Sequence, residues 1–211
     1  MKVYFVRHGE SETNAGGLRL GAETPLTELG LKQAVDIAGR LVNLKIDKFV
    51  SSPWLRAKQT SEIVAKKINL PIIYSDLLVE LGKPSELIGL TKNDPEAQRI
   101  LTEVWDHYID PVWHYSDEEK IPEIMARADK ALTYLADLDC ENLLVVTHGN
   151  FLRFLVPVAL FGQKFDLATM KKWHEGTAIY NASFTVMEFK PSEEDNPGKW
   201  RLITWNDHAH L

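Results

Sequence analysis

Cysteine is nearly absent: Cys140 is the only one among 211 residues, which excludes an internal disulfide and any thiolate metal cluster built within one chain. Long apolar runs are missing as well. Nothing approaches the ~20 uninterrupted apolar residues of a membrane span. Ahead of Arg7 stand one lysine and four apolar residues, too few for a signal-peptide core. Positive charge is also in deficit, with 24 Lys and Arg against 30 Asp and Glu for a formal net charge of −6. No general attraction to nucleic acid or anionic lipid is therefore expected, and any anion site has to be built locally. Internal repeats, long linkers and low-complexity tracts are lacking too. The expectation is a soluble, cytoplasmic protein with no nucleic-acid or membrane partner, folded as a single domain over residues 1–211, a length that supports one sizeable core.

What is present is a repeated strand-loop-helix plan. Val3-Tyr4-Phe5-Val6 reads as a buried parallel strand, a short apolar run that ends at Arg7-His8-Gly9-Glu10. Thr27 is a candidate N-cap for a helix in which Leu31, Ala34, Val35, Ala38, Leu41 and Val42 recur at spacings of three and four. Lys48 to Ser51 predicts a second strand, and Leu55 to Ile68 a second helix with Pro53 in its first turn. Ile72 to Tyr74 predicts a third strand. Between Leu81 and Pro122 periodicity fades, and the stretch reads as a partly helical, lid-like insertion carrying Trp105, His107, Trp113 and His114. Helical spacing returns from Ile124 to Leu135, and Leu143 to Thr147 is a second buried strand, ending in His148-Gly149 and followed by a helix from Phe151 to Leu160. Ala182 to Phe189 and Trp200 to Trp205 predict a closing hairpin or sheet edge around a turn from Pro191 to Gly198.

The strand ends carry the chemistry. Two finish in His-Gly, at His8-Gly9 and His148-Gly149, and a third at Ser51-Ser52-Pro53 with Arg56 just beyond. Open α/β sheets hold ligands outside the carboxyl ends of their parallel strands, so Arg7, His8, Arg56 and His148 are expected on one rim. Two guanidinium forks and two imidazoles suit a phosphoryl group, with amides at the following helix starts as further donors.

Arg7-His8-Gly9-Glu10-Ser11 with Asn14, then Thr24 to Ala34, Ser51 to Thr60 and Val145 to Gly149, in that order, resemble the motif blocks of the histidine phosphatase superfamily. The ending Trp205-Asn206-Asp207 with His210-Leu211 is similar as well. The resemblance covers nearly the whole chain. It implies a phosphoglycerate mutase-like fold: a three-layer α/β/α sandwich with a mostly parallel central sheet. It further implies His8 as the transiently phosphorylated nucleophile, Arg7, Arg56 and His148 as the phosphate pocket, and hydrogen bonds to phosphate from Asn14 and the Gly149 amide. No metal and no cofactor are required.

A leaving alkoxide needs a proton. Glu80 stands where the resemblance expects the acid, although Lys83-Pro84-Ser85-Glu86 follows it in place of the usual aromatic-glycine stretch. Glu10, Glu12, Glu23 and Glu86 compete, each with a solvated or salt-bridged surface role as its simpler explanation. The function expected is a metal-independent phosphomonoesterase acting on a small phosphorylated metabolite. The alternatives are phosphoglycerate mutase-type transfer and a catalytically silent phosphate-binding module. The segment after Glu80 is short for a mutase and lacks the basic-aromatic stretch that holds a second anionic group in such relatives. His208 and His210 lack a third ligand and are expected in a hydrogen-bonded tail, and Ser192 to Asp195 in a solvated turn. The six tryptophans leave a homodimer patch open.

Overall fold

The computed structural model describes residues 1–162, 166–191 and 199–211. Strands β1 (Lys2–Arg7), β2 (Lys48–Ser51), β3 (Ile73–Tyr74), β4 (Asn142–Thr147), β5 (Phe184–Lys190) and β6 (Lys199–Asp207) form a sheet in the order β3-β2-β4-β1-β5-β6. The first four in that order are parallel, and β5 and β6 run antiparallel to their neighbours. The helices are α1 (Glu28–Leu41), α2 (Leu55–Ile68), α3 (Pro95–Asp106), α4 (Ile121–Ala136), α5 (Gly149–Phe161) and α6 (Leu167–Gly176).

Strand alternation explains the layers. Val3 and Phe5 of β1, with Leu143 and Val145 of β4, pack against α4 and α5, while Val6, Leu144 and Val146 pack against α1 and α2. Both faces of the central strands are covered, which is why these strands read as unbroken apolar runs. The result is the expected α/β/α arrangement. Register then sets the rim: Arg7 pairs with Thr147 and Ser51 with Val146, so the residues just beyond all three strands leave the sheet at one edge.

Thr27 caps α1 as its sequence predicts, accepting from the Gly30 amide at 3.0 Å. The buried face differs from the apolar spacing. Gly30, Ala34, Ile37, Ala38 and Leu41 face inward, whereas Leu31, Val35 and Val42 are 42%, 59% and 48% exposed. Spacings of three and four generate two neighbouring stripes, and the one built on small residues lets the helix approach more closely. A second difference is at α2, which begins at Leu55 with Trp54 as its cap, leaving Pro53 outside the first turn. A third is α4, which begins at Ile121 with Pro122 in its first turn, so the end of the 81–122 segment is helix. The rest of that segment contains a short turn of helix at Ser85–Leu87 and α3, with a small core of Leu87, Ala97 and Ile100. Of the expected turn from Pro191 to Gly198, residues 192–198, including Ser192 to Asp195, lie outside the described residues.

Helix α6 has no counterpart among the elements the sequence predicts. Asp166 caps it, accepting from the Thr169 amide at 2.9 Å. It is tied to α5 through a defect: Pro157 inside α5 has no N–H for the Arg153 carbonyl, and the Trp173 indole N–H donates to that carbonyl at 2.9 Å instead. No described helix is long and apolar enough to cross a membrane.

The loop after β1 meets the start of α1 backbone to backbone. A Cβ on Gly30 would lie 1.9 Å from the Glu10 carbonyl oxygen, and one on Gly9 2.4 Å from the Gly30 carbonyl oxygen. Gly39, in the same helix, has nothing within 4 Å of an added Cβ. Gly30→Ala is therefore expected to destabilise by about 2 kcal/mol or more, and Gly39→Ala to stabilise by about 0.5–1 kcal/mol. Urea midpoints of the two variants check this; equal shifts would refute the close backbone contact.

Candidate active site

His8 follows β1 and is 2% exposed. Its Nδ1 lies 2.6 Å from the carbonyl oxygen of Gly9, which can only accept, so Nδ1 carries the proton and Nε2 the lone pair. Arg56 Nε donates to that Nε2 at 3.1 Å. Burial first, then Arg56 and Arg7, hold the His8 pKa well below the usual imidazole range. The ring is thus neutral at pH 7, with its nucleophilic nitrogen aimed at a guanidinium.

The loop behind this ring is fixed at several points. The Gly9 amide donates to Thr60 Oγ1 at 3.1 Å, the Glu10 amide to Gln33 Oε1 at 2.8 Å and the Leu26 amide to Gln59 Oε1 at 2.8 Å. Asn181 Nδ2 lies 3.1 Å from the carbonyl oxygens of His8 and Gly9 and from Asn14 Oδ1. Asn14 Oδ1 also accepts from the amide and hydroxyl of Ser11. With that oxygen committed, the side-chain N–H groups of Asn14, a residue that lines the cavity described next, remain as donors.

Arg7, His8, Asn14, Arg56, Glu80 and Gly149 line a cavity of about 570 Å³. Arg7 donates to the Ile179 carbonyl at 2.6 Å, and its Nε is buried with no partner among the described residues. Burial lowers the pKa of Arg7 to about 10 and that of Arg56 to about 10, with the charge of Glu80 opposing the shift in each. Both guanidinium groups remain charged at neutral pH. Arg56 also lies 4.8 Å from the ring centroid of Trp54, another cavity residue. Gly149 abuts Arg7: a Cβ there would be 3.0 Å from Arg7 Nε.

His148 differs from the other three rim residues. It is fully buried and stands edge-to-face with His8, ring centroids 5.1 Å apart. Its Nε2 is 2.8 Å from Ser52 Oγ, and its Nδ1 is buried without a partner among the described residues. Burial, then Arg56, keep its pKa well below the ordinary value.

Glu80 crosses the cavity to the start of α5. Its Oε1 accepts from the amides of Phe151 at 2.8 Å and Leu81 at 3.0 Å, and its Oε2 from the amide of Asn150 at 3.2 Å. Its backbone is held from α4, where Arg127 donates to the carbonyls of Leu77, Val79 and Glu80 while pairing with Glu119 at 2.7 Å. Of the competing carboxylates, Glu10 accepts from Thr27 Oγ1 at 2.8 Å and Glu86 from Ser116 Oγ at 2.8 Å, and neither of these two lines the cavity.

Sequence reasoning missed Trp54, Thr60, Arg127, Arg153 and Asn181. Trp54 and Thr60 lie inside the Ser51 to Thr60 block and were readable there as neighbours of Arg56. Nothing local marks Arg127 or Asn181. His107 stacks on Trp113, ring centroids 4.1 Å apart, and both line a second cavity of about 230 Å³ with Trp105, Tyr108 and His174. His114 Nδ1 donates to the Ser116 carbonyl instead. In the tail, His208 donates to the Asn206 carbonyl and His210 to that of Ala182. Among the described residues no group of three or more His, Cys, Asp or Glu could hold a metal ion.

The sequence profile of the histidine phosphatase superfamily (branch 1) matches residues 3–208. A probable phosphoglycerate mutase, GpmB, of Escherichia coli (strain K12 / DH10B) is 31% identical over 218 residues, covering 100% of this chain and 95% of that protein. Its counterpart in Shigella dysenteriae serotype 1 (strain Sd197) is 29% identical with the same coverage. Among solved structures, a mycobacterial glucosyl-3-phosphoglycerate phosphatase in complex with VO3 superimposes with a TM-score of 0.79 at 25% identity, over 98% of this chain and 99% of that one. YhfR of Bacillus stearothermophilus gives a TM-score of 0.80 at 22% identity, covering 99% and 98% of the two chains, a likeness of fold.

Buried neutral histidines leave a signature in stability. Burial lowers the His174 pKa to about 4, against about 6.5 in an unfolded chain. Between those values the unfolded state binds a proton that the folded state refuses, so stability falls as pH drops below about 6.5. His174→Phe is expected to make the slope of unfolding free energy against pH shallower by close to one proton between pH 6 and 4.5. Urea titrations at stepped pH measure it, and an unchanged slope would show that His174 titrates normally.

Proposed function

The chain belongs to the histidine phosphatase superfamily, and from that membership we propose that it is a phosphomonoesterase working through a phosphohistidine on His8. The observation that carries this reading is the His8 ring, its Nδ1 proton committed to the Gly9 carbonyl and its Nε2 facing Arg56, with Glu80 on the same cavity. The likeness to a named phosphatase structure at 25% identity supports it.

In the cycle proposed, the phosphoryl group of a small phosphorylated metabolite enters between Arg7 and Arg56. Arg56 Nε exchanges its hydrogen bond to His8 Nε2 for one to a phosphoryl oxygen, which frees the lone pair for attack. As the N–P bond forms, the P–O bond to the alcohol breaks, and Glu80, carrying the proton that a monoanionic phosphomonoester brings into the cavity, gives it to the leaving oxygen. Arg7, Arg56, the Asn14 side-chain amide, the Gly149 amide and the Nδ1 of His148 stabilise the charge on the equatorial oxygens. Water then attacks phosphorus with Glu80 as base, orthophosphate leaves, and His8 returns to its neutral form. No step calls for a metal or cofactor.

The curated relatives, named as probable phosphoglycerate mutases, favour a second reading in which the phosphoryl group passes from His8 to another hydroxyl. Release of inorganic phosphate from 3-phosphoglycerate without a bisphosphate primer supports hydrolysis; strict dependence on that primer supports transfer.

Quenching in alkaline detergent during turnover of a ³²P-labelled phosphomonoester should leave a base-stable label on the protein that is lost on later exposure to acid and absent in His8→Ala. Label retained by that variant would remove His8 from the nucleophile's role. Glu80→Gln is expected to slow hydrolysis of an alkyl phosphate by about 10²-fold or more, while p-nitrophenyl phosphate, whose leaving group needs no proton, loses far less. Equal losses on both would take the acid's role from Glu80.

A further inference from the structure

A fixed carbonyl sets the tautomer of His8, but none does so for His148. The Nε2 of His148 lies 2.8 Å from Ser52 Oγ, and its Nδ1 is buried without a partner among the described residues. A hydroxyl can donate or accept, so that contact by itself leaves the position of the ring proton undecided.

The surroundings of Ser52 decide it. The Trp54 amide donates to Ser52 Oγ at 3.3 Å, and among the described residues the hydroxyl bonds only this amide and the His148 ring. Ser52 is 0% exposed, so its O–H has no bulk water to turn to. With the ring proton on Nε2, the oxygen would receive two N–H groups while its own buried O–H found no acceptor. With the proton on Nδ1, the O–H donates to the Nε2 lone pair and the Trp54 amide uses the oxygen. Only the second arrangement satisfies Ser52, and it leaves one N–H over, at Nδ1.

Ser52 is held in place for this contact. Its amide donates to the Val146 carbonyl at 2.9 Å, and its carbonyl accepts at 2.9 Å from the Ser51 hydroxyl, which in turn accepts from the Ser61 hydroxyl of α2 at 2.7 Å. The His148 ring is braced by the rings of His8 and Trp54, centroids 5.1 and 5.3 Å away. The leftover N–H has company: Arg7 Nε is likewise buried without a partner among the described residues, and Arg7 and Arg56 are within electrostatic range of the ring. Two buried donors that lack an acceptor call for one, and a phosphoryl oxygen supplies it.

Resting on the phosphomonoesterase reading, we infer that Ser52 is the positioning residue of His148: its hydroxyl donates to Nε2 and fixes the proton on Nδ1, so that a neutral ring presents an N–H to the phosphoryl group. The two histidines are set in opposite senses. An acceptor on Nδ1 leaves His8 a lone pair for phosphorus, and a donor on Nε2 leaves His148 a proton for oxygen. In the other tautomer His148 would turn a lone pair toward the phosphoryl oxygens and repel them.

Nitrogen-15 spectra of the full chain labelled at histidine read the tautomer directly, because a ring nitrogen with a lone pair resonates far downfield of one that carries hydrogen; signals lost in His148→Asn assign the ring. The wild type at pH 7 is expected to show the proton on Nδ1, and Ser52→Ala to populate the other tautomer. Ser52→Ala should lower kcat/KM for p-nitrophenyl phosphate about tenfold or more, Ser52→Thr, which keeps the hydroxyl, should lose much less, and in the His148→Asn background Ser52→Ala should cost less than about twofold further. A wild-type spectrum with the proton on Nε2 overturns the inference whether or not the variants fold, and leaves His8 as nucleophile untouched. So does a Ser52→Ala protein that loses activity with the tautomer unchanged and the loss additive to that of His148→Asn, since that is a packing effect. A wild type that neither binds inorganic phosphate nor turns over p-nitrophenyl phosphate overturns the phosphomonoesterase reading and this role together.

Discussion

One hydrogen bond, from His8 Nδ1 to the carbonyl of Gly9, determines what the rest of the cavity can do. It decides which ring nitrogen keeps its lone pair and where that pair points. On its own the bond favours a protonated ring, because a carbonyl acceptor stabilises an imidazolium. Burial, Arg56 and Arg7 outweigh it in the other direction. The ring therefore gains direction from the carbonyl without gaining charge. That carbonyl is useful only if it stays put, which accounts for the density of contacts around it: Thr60 on the Gly9 amide, Asn181 on the Gly9 oxygen, and α1 packed against the loop so closely that neither Gly9 nor Gly30 has room for a side chain.

Holding two guanidinium groups in that space is costly. Neither Arg7 nor Arg56 has a carboxylate within ion-pair distance among the described residues, and burial of the two groups lowers both pKa values to about 10. Each still lies well above neutrality, so desolvation weakens their protonation without removing it. Energy of this kind is stored at functional sites and must be offset elsewhere. Here the offset comes from cores on both faces of the sheet, where Phe5, Phe49, Phe151 and Phe154 are all at most 1% exposed.

The rim was legible in the sequence because parallel strands buried on both faces announce themselves as apolar runs, and register alone places the residues just after each run at the sheet edge. Arg7, His8, Ser52 and His148 needed no tertiary information beyond that. Arg127 did: it sits mid-helix on α4 among ordinary helix formers, and only the packed structure shows it holding the carbonyls of Leu77, Val79 and Glu80. Helix α6 escaped for a different reason. Its buried residue is Met170 alone, so it has no apolar stripe to read, and its anchorage through Trp173 depends on a carbonyl freed by a proline in another helix. The inward face of α1 is only partly read from spacing: Ala34, Ala38 and Leu41 are in the pattern and buried, but Leu31 and Val35 look more like core than Gly30 does, and hydropathy does not weigh how closely two backbones need to approach.

These differences divide the molecule by task. Residues at the ends of β1, β2 and β4 are fixed by the sheet and, in the cycle proposed, address what every phosphomonoester shares. The segment between Glu80 and α4 has its own small core of Leu87, Ala97 and Ile100 and contributes Lys83, Lys92 and the aromatic residues of the second cavity, the features on which alcohols differ. Glu80 stands at the junction. Its carboxylate is bound to the amides of α5 on the sheet side, and the chain that continues from it turns at once into the segment that precedes α4. Arg127, paired with Glu119, clamps that junction from α4. In the cycle proposed, the acid is thereby held in the frame of the phosphoryl group even where the alcohol side is built differently, which is the condition for one cradle to serve substrates that share little beyond the bond to be broken.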